Sequence, residues 1–255
     1  LENSILFSTL EPCSHYGRTP PCVNAIIKEK IKKVYICVTD TDDKVKGTGI
    51  EYLRKNNIDV ELDFIKDQGY NSLKPYIISR KEKRPYIVLK VATSIDGKIA
   101  LNNNKWISCS EARKDVHIIR NQSHAILVGV NTVIEDNPKL NVRLDQDIIN
   151  KPLRIILDSK GKLNKKEYNI FNKDIGPTLI FTSNLCNIKT INFWTKNKIN
   201  YKMININKGG LDLNQILKYL DKLQIIQLMV EGGGKVFTSF IKNNLFDELI
   251  QYQGD

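Results

Sequence analysis

The segment LEPCSHYGRTPPC sets two thiols, Cys13 and Cys22, each directly after a proline and beside the start of a helical pattern. A helix N-terminus favours thiolate, the metal-binding form of cysteine, so the pair suits two positions of a zinc site. Zinc deaminases need three protein ligands, a metal-activated water and a glutamate outside the coordination sphere that moves protons. Their usual Pro-Cys-x-x-Cys spacing is lengthened here by SHYGRTPP, and no His-x-Glu segment stands upstream. The constellation is therefore incomplete in this chain, with His15 as the only local substitute; otherwise the two cysteines read as small buried residues.

A second constellation is VEGGGKVFTSF, in which an apolar run ends at Glu231, three glycines follow and a helical pattern opens. Glycine lets a ligand approach the backbone, and a helix start offers free N–H groups and the positive end of the dipole to phosphate. The turn is not a G-x-G-x-x-G fingerprint, which argues against a standard Rossmann dehydrogenase. Glu231, at a strand end, could orient hydroxyls or relay a proton. Arg120 and Arg143 carry planar forks that match phosphate oxygens.

These residues need elements to place them. ENSILFSTL reads as a strand, VNAIIKEKIKK as a helix and VYICVTD as a buried strand; a second short helix and an apolar–acidic alternation follow Gly47 and Gly49. The charged SRKEKR before Pro85 reads as a linker. Beyond it, PYIVLKVATS, ILVGV, PLRIILDS, PTLIFTS, KINYKMININ and IIQLMVE are strand candidates, with helices at SEARKDVHIIRNQSHA and LNQILKYLDKL. Strands alternating with helices predict an α/β protein with a mostly parallel sheet.

The net charge of +11 admits a nucleic-acid partner or an anionic small substrate. Aromatics are not interleaved with the basic residues as a single-strand binding surface requires, which favours the small substrate. No apolar run approaches a membrane span, no basic leader precedes an apolar stretch, and five cysteines without such a leader imply reduced thiols. Together these imply a cytoplasmic protein with no membrane and no nucleic-acid partner.

The lengthened cysteine motif is similar to the deaminase domain of the bifunctional pyrimidine deaminase/reductase enzymes of riboflavin biosynthesis. The segments LKVATSIDGKIA, KWISCSEARKDVHIIRNQSHAILVGVNTVIEDNPKLNVR, RIILDS and VEGGGKVFTSFIKNNLFDEL resemble their reductase domain. The resemblance implies the C-terminal part of a cytidine-deaminase-like α/β domain over 1–78, a linker over 79–84 and a dihydrofolate-reductase-like α/β domain over 85–255, short of a last strand. It implies zinc on Cys13 and Cys22 and hydrolytic deamination, with the family's glutamate and histidine absent. Asp40, Thr41, Asp42 and Asp43 depart from the family's Asp-Pro-Asn-Pro before Gly47.

For the reductase, the resemblance implies NADPH-dependent reduction of the ribosyl chain of a phosphorylated aminopyrimidine to ribityl. Ala92, Trp106, Thr132, Asp136, Ser159, Gly233, Gly234, Lys235, Val236, Phe237, Thr238 and Ser239 would lie on the cofactor. Asn104, Arg120, Leu140, Arg143 and Glu231 would hold substrate. A homo-oligomer is also implied. The competing readings are a nucleic-acid or nucleoside zinc deaminase, suggested by the cysteines and charge, and an inactive fragment.

Overall fold

The computed structural model describes residues 1–17, 19–99, 107–144, 151–207 and 210–254. The chain divides into two compact units, Leu1–Lys83 and Arg84–Asp255.

In the first unit, β1 (Ile5–Leu10), β2 (Lys33–Val38) and β3 (Asp59–Leu62) form a parallel three-stranded sheet in the order β1-β2-β3. Parallel neighbours require crossovers, supplied here by α1 (Cys22–Lys28) and α2 (Thr48–Lys55). Val23 and Ile26 of α1 and Ile50 and Leu53 of α2 close a core with Val34, Ile36, Ile58 and Val60. A third helix, α3 (Lys66–Glu82), packs Ile77 against Cys37 and Val38. Helical spacing does not show α3, because its apolar residues fall on no single stripe and it contains Pro75. Tertiary contact holds it instead: a Cβ added at Gly69 would stand 2.5 Å from Cys37 Cβ. The stretch read as a linker over 79–84 is thus mostly the last turn of α3, and the chain turns at Lys83 (φ 53°) before Pro85.

The second unit is built on a seven-stranded sheet in which every pairing is parallel. It uses β4 (Tyr86–Thr93), β5 (Ala125–Gly129), β6 (Leu153–Leu157), β7 (Thr178–Thr182), β8 (Asn200–Met203), β11 (Gln227–Gly232) and β12 (Glu248–Gln253), in the order β12-β4-β11-β5-β6-β7-β8. A small antiparallel ribbon, β9 (Ile206–Asn207) and β10 (Gly210–Leu211), stands apart from it. The inner strands are buried on both faces and, Arg154 of β6 apart, carry no charge there, as burial between helix layers demands. On one face α7 (Leu213–Lys222) and α8 (Gly234–Lys242) cover Leu127, Ile155 and Val230. On the other, α5 (Val130–Asp136) and α6 (Ile188–Lys196) bring Val133 and the fully buried Trp194 against Ile126, Ile156 and Ile180. The remaining helix, α4 (Ser110–Gln122), packs beside β11.

The order of strands matters for function. From β5 the chain proceeds through α5 to β6 on one side, whereas from β11 it proceeds through α8 to β12 on the other. Such a reversal opens a crevice beyond the carboxyl ends of the two strands, the usual ligand position in open α/β sheets. The sheet also continues past β4 to a strand that sequence analysis did not assign, β12, whose far edge has no partner among the described residues. It is fastened by Asp247, which accepts from Arg84 at 2.6 and 2.9 Å and from the Ile87 N–H at 2.8 Å. Arg84 and Asp247 are both largely buried. Replacing Asp247 by Ala should therefore lower stability by about 2 to 4 kcal/mol, and Asp247→Asn by less. Urea unfolding checks this, and a midpoint unchanged in Asp247→Ala would contradict it.

Candidate active site

A cavity of about 480 Å³ lies at the carboxyl ends of β5, β6 and β11, within the range of small-ligand sites. Its floor is the glycine turn. Gly233 sits at φ 82°, a left-handed conformation in which a side chain is strained, and it forms the N-cap of α8 without any side-chain cap. The first N–H groups of α8, and those of α5 behind Gly129, are therefore left for a ligand. Gly129 allows the two helix starts to approach: a Cβ there would stand 2.9 Å from Val236 Cγ2. Thr132 and Glu135 of α5, Ser159, Lys160 and Lys162 after β6, and Lys235 and Ser239 of α8 complete a polar wall in which lysines outnumber carboxylates. The turn after β6 is set by buried Asp158, which accepts from the Lys162 and Leu163 N–H groups at 3.0 Å each.

One residue before the glycines, Glu231 takes part in a second cluster. Both its oxygens accept from Arg120 of α4, Oε1 from Nε at 2.5 Å and Oε2 from Nη2 at 2.6 Å. The remaining Arg120 nitrogen, Nη1, donates to the Asn141 carbonyl at 3.0 Å. Burial would raise the Glu231 pKa, but the charges and hydrogen bonds of Arg120, with Lys90 and His117 behind it, outweigh that and hold the carboxyl below its usual range. Lys90, on β4 beside β11, is pulled the other way: burial lowers its pKa, Glu231 raises it and Arg120 lowers it, with a net decrease. Lys90 also lies over the ring of Tyr252, whose hydroxyl donates to Asp115 at 2.5 Å.

The residues after α5 run alongside α4. Asn141 meets Arg120, and the Arg143 N–H donates to His117 Nδ1 at 3.1 Å, one turn nearer the start of α4. Leu140 and Val142 point inward, buried to 4% and 6% exposure, which turns Arg143 outward. Arg120 and Glu231 both bear on Arg143 electrostatically, so its cation belongs to the same cluster.

In the first unit the two cysteines do meet: the Cys22 backbone N–H donates to Cys13 Sγ at 3.4 Å. Burial and the neighbouring Cys13 raise the Cys22 pKa. The loop carrying them is tied down by Glu11, a residue that sequence analysis overlooked. Its buried carboxylate accepts from the N–H groups of Asp40, Gly47, Gly49 and Ile50 at 3.0 to 3.3 Å. The glycine at 49 is obligatory, because a Cβ there would stand 1.9 Å from the Pro12 carbonyl oxygen. Among the described residues, no group of three His, Cys, Asp or Glu side chains could hold a metal ion, so the fit to zinc is not complete. His15 Nδ1 is buried without a hydrogen-bond partner.

Residues 85–254 match the RibD C-terminal domain family. The chain belongs to the RibD family. It is 37% identical over 258 residues to riboflavin biosynthesis protein RibD of Chlamydia pneumoniae, an alignment covering 100% of this chain and 68% of that protein. The counterpart from Aquifex aeolicus is 38% identical over 253 residues, with 98% and 69% covered. Among solved structures, the diaminohydroxyphosphoribosylaminopyrimidine deaminase/5-amino-6-(5-phosphoribosylamino)uracil reductase of Thermotoga maritima superposes with a TM-score of 0.81 at 33% identity. The match covers 96% of this chain, which spans 65% of that one. Among the described residues of this RibD-family chain, no helix is long and apolar enough to cross a membrane.

Against this frame the expected site residues separate into groups. Thr132, Ser159, Gly233, Gly234, Lys235, Val236 and Ser239 line the cavity. Phe237 turns into the core instead, the Thr238 hydroxyl donates to the Gly234 carbonyl, and Asp136 is exposed at the end of α5; none of the three lines the cavity. Ala92 lies on β4 opposite Tyr252. Arg120, Arg143 and Glu231 share the charged cluster, but the Arg120 fork is already given to Glu231; Leu140 is buried in the apolar core beneath α5. Asn104 and Trp106 lie outside the described residues. Lys90 was missed, although a lysine inside the otherwise apolar YIVLKVA is a signal that could have found it.

The cluster carries a pH dependence. His117 is 8% exposed; burial first, then Arg120 and Arg143, pull its pKa from 6.5 to about 4 despite Glu231. The unfolded chain binds a proton near 6.5 and the folded chain only near 4. Its stabilisation is therefore complete above about 6.5 and is lost as pH falls towards 4. His124, also lowered by burial, contributes with the same sign. Urea midpoints should fall between pH 6.5 and 4.5 more steeply in the parent than in His117→Asn. Parallel profiles would contradict the assignment.

Proposed function

We propose that the second unit is an NADPH-dependent reductase of riboflavin biosynthesis, converting the ribosyl chain of 5-amino-6-(5-phosphoribosylamino)uracil to ribityl. The observation that carries this reading is the juxtaposition of two subsites around Glu231 and the glycine turn that follows it: a basic cavity with uncapped helix starts, and a buried charged cluster with one outward arginine. The family membership is consistent with it.

The residues present fit a dinucleotide. The glycine turn and the first N–H groups of α8 would donate to diphosphate oxygens, while Ser159, Lys160 and Lys162 offer donors to a ribose phosphate. NADPH, when bound, supplies a hydride. The protein must then hold the sugar and deliver a proton to the ring oxygen that is released as the chain opens. Glu231 is not the proton source, because it is ionised and both its oxygens already accept from Arg120. Lys90 is the residue we assign to that role: the pairing of β4 with β11 sets it beside Glu231, and burial, aided by Arg120, loosens its proton against the opposing pull of the Glu231 carboxylate. Arg143 meets the substrate phosphate, and Arg120 keeps Glu231 charged and oriented.

A second activity, zinc-dependent hydrolytic deamination by a longer protein of which the first unit is a part, is favoured by the meeting of Cys13 and Cys22. The described residues do not complete a metal centre.

Fluorescence titration should show tighter binding of NADPH than of NADH, and Arg143→Ala should weaken the phosphorylated substrate about tenfold to a hundredfold while leaving NADPH unaffected. Equal or tighter NADH binding would remove the cofactor preference. Unchanged substrate affinity in Arg143→Ala would place that arginine on the solvated surface.

A further inference from the structure

The strand before the catalytic turns contains an unusual side chain. Arg154 of β6 is 1% exposed. Its guanidinium donates to the carbonyls of Lys139, Asn169, Ile170, Asn172, Gly176 and Pro177. A guanidinium held by carbonyls alone is a fixed template for the chain around it: Asn169, Ile170 and Pro177 have a second donor to their oxygens, but the Lys139, Asn172 and Gly176 carbonyls take theirs from Arg154, and losing it would withdraw all three at once. Two surface segments are joined through it, residues 169–177 and the start of residues 139–143.

The second of these carries Arg143. Its path contains a strained residue: Leu140 has φ 48°, a left-handed conformation that a side chain disfavours, and it is nonetheless buried. Such a conformation persists only where its surroundings over-determine it. Here the flanking carbonyls are both clamped, Lys139 by Arg154 at 3.3 Å and Asn141 by Arg120 at 3.0 Å. One further clamp lies upstream, where Asn169 Nδ2 donates to the Asn137 carbonyl and the Asn169 N–H to Asn137 Oδ1, both at 2.7 Å. Beyond Asn141, the Arg143 N–H is received by His117.

We propose that Arg154 is a positioning residue for the substrate-phosphate subsite, holding the strained turn at Leu140 so that Arg143 is presented beside the Arg120–Glu231 pair. The inference rests on the reading of Arg143 as the phosphate ligand. Arg154 touches neither substrate nor cofactor; it acts through the backbone of residues 139–143. Its pKa is lowered by burial only to about 10, so the template stays charged at neutral pH.

The test is a double-mutant cycle on the full chain with Arg154→Lys, Arg143→Ala and the pair. KM and kcat are measured with 5-amino-6-(5-phosphoribosylamino)uracil, and NADPH binding is measured by fluorescence. Arg154→Lys should raise KM about tenfold, with kcat and NADPH affinity within about twofold, and should add nothing in the Arg143→Ala background. An equal rise in that background, an equal loss of NADPH affinity, or an unchanged KM would overturn the proposal. Should Arg154→Lys fail to fold, Asn169→Ala, which removes the side-chain bond to the Asn137 carbonyl and leaves the backbone one to Asn137 Oδ1, replaces it in the same cycle with the same criteria. If Arg143→Ala itself behaves as the parent, the phosphate reading falls and this inference with it. A normal loss in Arg143→Ala with none in the clamp variant overturns the inference alone.

Discussion

The bidentate pair between Glu231 and Arg120 organises the second unit. A carboxylate buried at the end of a central strand would ordinarily take up a proton; here a guanidinium that spends two donors on it and a third on Asn141 keeps it charged. The pair fixes α4 to β11 directly before the glycine turn, and fixes the chain leading to Arg143 against α4. Removing either partner would leave the other charge buried and alone, the costly case for such pairs. Its position also separates two tasks. On one side lies the uncapped, glycine-lined crevice that we propose for the dinucleotide, and on the other the cluster of Arg120, Arg143 and Lys90 around Glu231 that we propose for the phosphorylated substrate.

Much of this frame was legible in the sequence. The apolar runs of β4, β5, β6, β7 and β11 are buried on both faces, so they stand out without needing alternation. The glycine turn and the cavity-lining Thr132, Ser159 and Lys235 were readable because a motif and a resemblance point to the same strand ends. What escaped depends on contacts between segments far apart in sequence. α3 has no apolar stripe and is held by Gly69 and Ile77 against Cys37. β12, with its exposed alternate residues, is a strand because Asp247 fastens it to β4.

The site shows the same division. Arg120 looked like a phosphate ligand because sequence shows an arginine's type and not its partner; the structure gives its fork to Glu231. Phe237 follows the glycines in sequence, but the helical turn carries it into the core. Glu11 reads as an ordinary carboxylate beside Cys13, and only the fold reveals the backbone N–H groups of Asp40, Gly47, Gly49 and Ile50 converging on it. Lys90 becomes significant once β11 places Glu231 in its field.

The central claim is that the Glu231–Arg120 pair serves the reduction itself and not the binding of the dinucleotide. Glu231→Gln preserves shape while removing the charge, and single-turnover reduction with NADPH pre-bound reads the chemical step directly. The account predicts a loss of about a hundredfold or more in that rate, with NADPH affinity within about twofold of the parent. A reduction rate close to the parent's, or a loss confined to NADPH binding, would contradict it.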